Sequence, residues 1–154
     1  MIKLLVTGTR RTPHKTQVTN VLSLLWDDLE DDDVMLIHGD CPHPSGRDAF
    51  DIPQVRVLFS VDKIADEFAE SAGWRIWKFP AHWNICDKNC YHKPRSDGKC
   101  PAAGPRRNKA MVDALDPATD MVIAFPQGES KGTRGTIELA RAHGIEPLIY
   151  ELGD

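Results

Sequence analysis

Residues 121–150 read MVIAFPQGESKGTRGTIELARAHGIEPLIY, and this stretch decides the fold. Met121 to Phe125 is a short apolar run of the kind that forms a buried strand. Pro126 to Gly132 is a glycine-bearing loop. Thr133 to His143 has helical spacing, Gly144 suits the helix C-cap, and Glu146 to Glu151 reads as a further strand. Strand, helix and strand in that order call for parallel pairing, with the helix packed on a sheet face.

The same alternation runs back to the start. Ile2 to Val6 is a strand ending in the turn Thr7-Gly8-Thr9-Arg10. Val18, Val21, Leu22, Leu25, Trp26 and Leu29 follow helical spacing, and the acidic run Asp27 to Asp33 ends that helix. Val34 to Ile37 is a second strand, closed by His38-Gly39-Asp40-Cys41, and residues 42–59 read as a loop or insertion. Val61, Ile64, Ala65, Phe68, Ala69 and Ala72 form an amphipathic helix stopped by Gly73. Trp74 to Phe79 then alternates as a strand does. Pro105 suits the first turn of a helix reaching about Leu115, with Ala110, Met111, Ala114 and Leu115 inward. The expectation is an α/β, Rossmann-like three-layer sandwich with a mostly parallel sheet. Residues 1–154 form one domain, with a Cys-rich insertion at about 84–102.

Bulk composition bounds the function. The chain has 154 residues, 41% hydrophobic and 27% charged, with a net charge of −4. An acidic balance weighs against sequence-independent nucleic-acid binding, although Lys93, Arg95, Lys99, Arg106, Arg107 and Lys109 make a local basic stretch. No apolar run has the length of a membrane span. MIKLLVTGTR is too short for a signal peptide and runs straight into a strand, so a cytoplasmic, reducing location is expected.

In that setting, clustered cysteines point to metal before disulfide. Cys86, Cys90, His92 and Cys100 supply three thiolates and one imidazole, a closed donor set for a structural zinc. Cys41, His43 and His82 are the substitutes if one donor is displaced. The segment around them is polar, with Tyr91 its one sizeable apolar group, so metal binding would supply the free energy that orders it. A loop so stapled would feed Arg106, Arg107 and Asn108 into their helix at a fixed angle.

Three loops fall at the carboxyl ends of strands, where open parallel sheets bind ligands. They are Thr7 to Arg11, Gly104 to Asn108 and Pro126 to Thr133. Helix N-termini and arginine forks attract phosphate, and Gly128 and Gly132 allow the backbone to approach it. Arg10 and Arg107 are the expected phosphate clamp, with Asn108 orienting a ribose or base. Candidate carboxylate bases for a hydrolytic reading are Asp40, Asp62 and Glu129.

The segments VTGTR (6–10), IHGD (37–40), VDKIADEFAESAGW (61–74), FPAHW (79–83), AGPRRNKAMV (103–112) and IAFPQGESKGT (123–133) carry a resemblance. Together they resemble the YspA-like, cpYpsA-related branch of the SLOG superfamily, relatives of DprA and Lonely Guy proteins. The resemblance spans nearly the whole chain and implies a Rossmann-like fold that binds nucleotides or nucleotide-derived ligands. Such members are frequent in bacteria and phages, and helix-mediated homodimers occur among relatives. Its pocket residues fall here on Gly8, Arg10, His38, Gly39, Asp62, Arg107, Asn108, Gly128, Gly132 and Thr133, and the loop residues Thr9 and Ser130 join them as ligand-binding candidates. Two departures stand out: Ser60-Val61-Asp62 in the place of a Gly-x-Asp turn, and the long Cys-rich segment. Lonely Guy enzymes carry PGGxGTxxE, and here Thr136 occupies the glutamate's place. Glu138 lies about 200° further round the helix.

Overall fold

In the computed structural model the described residues are 1–30, 32–51, 55–86, 90, 92 and 97–153. Tyr91, Lys93 and Arg95 lie outside them. Among the described residues, seven strands and four α-helices follow in the order β1 (Ile2–Gly8), α1 (Lys15–Asp28), β2 (Val34–His38), β3 (Phe50–Asp51), β4 (Arg56–Val57), α2 (Val61–Ala72), β5 (Arg75–Lys78), α3 (Ala103–Asp113), β6 (Met121–Phe125), α4 (Lys131–Ala142) and β7 (Leu148–Ile149).

Five strands form a parallel sheet in the order β5-β2-β1-β6-β7. Leu4 of β1 stands opposite Leu36 on one side and Met121 on the other. Because successive strand side chains point to opposite faces, each apolar run supplies both faces of the sheet at once. Leu4, Val6, Leu36, Ile123 and Phe125 pack under α1 and α2 through Val18, Leu22, Leu25, Val61, Ile64 and Ala65. Leu5, Ile37 and Val122 face the other way, against Met111, Val112 and Leu115 at α3 and Ala140 on α4. The result is the expected α/β/α sandwich.

Some boundaries differ from the sequence reading. Val112 takes the inner place expected of Ala110, which is exposed. The last strand is only Leu148–Ile149, because Pro147 brings no N–H to the ladder, although Tyr150 and Leu152 still donate to the carbonyls of Ala124 and Pro126. Residues 42–59 contain a 3-10 turn (Gly46–Ala49) and the antiparallel pair β3–β4, tied to the body by reciprocal Thr12–Phe59 hydrogen bonds.

The strand order reverses between β1 and β6: the chain runs outward through β2 and β5, then returns to the far side of β1. At such a point the loops above the carboxyl ends diverge and leave a crevice.

Among the described residues, no helix is long and apolar enough to cross a membrane.

Candidate metal centre and ligand pocket

A cleft of about 530 Å³ opens at this reversal. Thr7 to Arg11 line it from β1, Gly39, Cys41 and Asp62 from the β2 end and α2, Gly104, Pro105, Arg107 and Asn108 from α3, and Ser130 to Thr133 from α4. The three sequence-read loops therefore meet in one place.

Two close approaches shape its floor. A Cβ on Gly8 would lie 2.6 Å from both Val61 methyls. One on Gly39 would run into the guanidinium of Arg107, which donates to the carbonyls of Gly39 and, at 3.3 Å, of Phe79. Bare backbone at Gly39 is what lets α3 dock its arginine against the end of β2. Arg107 also donates from Nε to Asn108 Oδ1 at 2.8 Å, which fixes both side chains at the cleft.

Asp62 sits in the first turn of α2 with its carboxyl almost wholly buried, and Oδ2 accepts the Cys41 N–H at 3.1 Å. Burial pushes its pKa up, against the opposing pull of that N–H and of Arg107 and Arg10. Burial likewise raises the Cys41 thiol and lowers the Arg107 guanidinium from their usual values.

Four sequence candidates lie outside the lining. His38 is fully buried; its Nε2 bonds Asp66 Oδ2 at 2.7 Å and its Nδ1 accepts the Asp40 N–H at 2.9 Å. Both ring nitrogens are engaged inside the fold, so the imidazole is structural. Asp40 turns to Lys63 Nζ at 2.8 Å, and this bond holds its carboxyl below the usual range. Gly128 and Glu129 are drawn outward by Arg134, which donates to their carbonyls at 2.7 and 3.0 Å and pairs with Glu151 at 3.0 Å. Thr136, in the place of the Lonely Guy glutamate, is buried with Oγ1 bonded to the Gly132 carbonyl at 3.1 Å.

Beside the cleft, the reactive atoms of Cys86, Cys90, His92 and Cys100 all lie within 4.8 Å of one another and could hold a metal ion. His92 Nε2 is 3.4 Å from the sulfurs of Cys86 and Cys100, and Cys90 Sγ is 3.7 Å from Cys100 Sγ. These are the donors read from the spacing. Cys41 stays at the cleft, and His43 bonds Glu67 and the Ser60 N–H instead.

The spacing did not reveal the role of Arg106. Its Nη1 donates to Cys90 Sγ at 3.2 Å and Cys100 Sγ at 3.7 Å, and its Nη2 donates to the Ile85 carbonyl at 2.6 Å. Burial opposes a thiolate at Cys100, but the Ala102 N–H, Cys86 and Arg106 outweigh it and bring the pKa down to about 6. Trp83 was missed as well. Its ring lines the cleft with Arg10 stacked on it, Cζ 5.2 Å from the centroid. The FPAHW segment was the available signal, but a tryptophan in a polar loop gives no periodicity that would place it.

No known family profile matches the chain, and no curated protein does. Among solved structures, the C-terminal domain of a hydrogenase from Pyrococcus furiosus aligns with 98% of this chain and 91% of that chain, at 14% identity and a TM-score of 0.42. So distant a likeness assigns no function.

Proposed function

We propose that the chain is a SLOG-like, cytoplasmic protein that binds a nucleotide or nucleotide-derived ligand in the cleft between β1 and β6, beside a structural zinc. The observation carrying this reading is the convergence of Arg10, Arg107 and Asn108 with the N-terminus of α4 at the strand-order reversal. Guanidinium forks and free helix N–H groups are the elements that hold phosphate, and Trp83 offers a flat face for a base. Asp62, among the lining residues, would accept from a ribose hydroxyl.

Zinc is supported by the donor geometry. Tetrahedral bonds of about 2.3 Å to sulfur and 2.0–2.1 Å to nitrogen require S···S edges of about 3.8 Å and S···N edges of about 3.6 Å. The Cys90–Cys100 edge is 3.7 Å and the two edges from His92 to Cys86 and Cys100 are 3.4 Å, with all four donor atoms within 4.8 Å of one another. Cys86, Cys90, His92 and Cys100 would fill all four positions, so the ion would order the loop rather than activate water.

Native mass spectrometry on freshly purified protein tests both parts. A nucleotide-sized adduct and one zinc per chain are expected. A bare polypeptide mass that stays unchanged after incubation with nucleoside phosphates and zinc would remove the reading.

Buried Asp62 favours one further reading, a hydrolase of an N-glycosidic bond with this carboxyl as base. Asp62→Asn would then abolish turnover and spare binding. Equal rates in the two proteins would exclude that role.

A further inference from the structure

Trp83 belongs to both centres, and each connection is made by a different part of the residue. Its carbonyl accepts the N–H of the metal-site residue Cys100 at 2.5 Å. Its ring carries Arg10 on one side and lies against the first turn of α3, where a Cβ on Gly104 would come within 3.1 Å of the indole. Two further bonds reinforce the connection. Cys100 accepts the Ala103 N–H at 3.1 Å, joining a metal-site residue to the start of α3. Arg106 grips Cys90, Cys100 and the Ile85 carbonyl together.

The polar loop has little apolar surface of its own with which to fix this arrangement. Cys86 and Ile85 are exposed, and Cys100 is the one fully buried member of the donor set. An ion that fixes four donors removes the conformational freedom of everything bonded to them. The nearest such groups outside the loop are Trp83 and the α3 N-terminus.

We propose that metal occupancy of the Cys86–Cys90–His92–Cys100 cluster sets the position of Trp83 and, through it, the Arg10 wall of the cleft, so that metal and cleft ligand bind cooperatively. The cooperativity rests on the two readings above. Its ligand class is narrowed to molecules with a planar face beside an anionic group, because an aromatic face and a guanidinium are what the metal holds in place. Linkage makes the effect reciprocal: whatever factor zinc contributes to ligand affinity, ligand contributes to zinc affinity. Arg106 is a positioning residue in this scheme and touches no ligand.

Hydrogen exchange on the full chain, with and without one equivalent of zinc, tests the structural link without any ligand. Zinc should slow exchange at Trp83 to Ile85 and Ala103 to Asn108, and also at Thr9 to Arg11, which lie far from the cysteines in sequence. Slowing confined to residues 86–100 overturns the proposal. Trp83→Ala should bind zinc but lose the protection at Thr9 to Arg11, whereas Trp83→Phe should keep it. Full protection in Trp83→Ala also overturns it.

Adenosine monophosphate as probe then measures the linkage. Zinc affinity should rise about 5-fold or more at saturating probe, the lower range of such couplings, with the factor falling to one in Trp83→Ala. Binding of the probe with no change in zinc affinity overturns the cooperativity. A zinc-loaded protein that binds no nucleoside phosphate removes the nucleotide reading and the cooperativity with it. The exchange pattern still decides whether the metal positions Trp83.

Discussion

Arg106 and Arg107 are consecutive on α3 yet serve different centres. Arg106 donates to the sulfurs of Cys90 and Cys100, while Arg107 donates to the carbonyls of Gly39 and Phe79 and borders the cleft. Adjacent helical residues project about 100° apart, so a single turn of α3 separates the two charges into two environments.

Replacing each arginine should therefore produce a different defect. Arg106→Ala removes the donors that neutralise the thiolates and should weaken zinc about 10- to 100-fold, read by competition with a chromophoric chelator. Arg107→Ala should leave zinc affinity unchanged and weaken a nucleoside phosphate about 10-fold or more in calorimetry. The same zinc affinity in Arg106→Ala and wild type would show that the contact contributes nothing.

Gly39→Ala places a methyl where the Arg107 guanidinium lies. The helix or the arginine must shift, with a stability loss of about 1–3 kcal/mol in urea unfolding and a parallel loss of cleft affinity. Full stability and affinity in this variant would mean that the docking of Arg107 on β2 tolerates slack.

His38→Ala deletes one partner of a buried pair, leaving the Asp40 N–H without its acceptor and Asp66 with the longer contact to Lys78 Nζ at 3.8 Å. A destabilisation of about 3 kcal/mol or more is expected by denaturant titration. Cleft affinity measured on the remaining folded protein should be that of wild type, since the imidazole does not reach the cleft.

Asp62 and Asp40 should push the pH dependence of stability in opposite directions. Burial raises the folded pKa of Asp62 above its unfolded value of 3.8. Its ionisation therefore opposes folding: the penalty is absent below the unfolded pKa, grows as pH rises and is complete above the folded pKa. Asp62→Asn retains an acceptor for the Cys41 N–H, so it should stabilise the protein at neutral pH and progressively less in acid. A difference that is constant with pH would contradict this assignment. The bond to Lys63 lowers the folded pKa of Asp40. Its contribution is present above the unfolded value and is lost as pH falls through the folded one.

The sandwich was legible because buried parallel strands show as apolar runs and helices as period-3.6 stripes. Leu4, Leu5 and Val6 on β1 and Ile64, Ala65 and Ala69 on α2 carry both signals. The metal donors were legible because Cys86, Cys90, His92 and Cys100 lie close in sequence as well as in space. Pairings across the fold were not. Asp66 lies among the polar positions of the α2 stripe, yet the end of β2 brings His38 over it, and no periodicity encodes a strand-to-helix hydrogen bond. The outward turn of Gly128 and Glu129 depends on Arg134 meeting Glu151, a contact set by how β7 returns beside β6. Arg106 read as one more basic residue because a guanidinium's partner is decided by which face of α3 meets the cysteines.

The position of the cysteines along the chain also bears on how the sheet is assembled. Cys86, Cys90 and Cys100 lie in the connection that leaves the edge strand β5 and must reach β6 on the far side of β1. A metal ion bound before that crossing is complete ties Cys86 to Cys100 and shortens the tether that β6 must drag to its place. Loop closure becomes less unfavourable, and the effective sequence separation of the last-formed contacts falls. Refolding should accordingly run faster with zinc present from the start than with zinc added afterwards, so the ion would act on the order of assembly as well as on the finished loop.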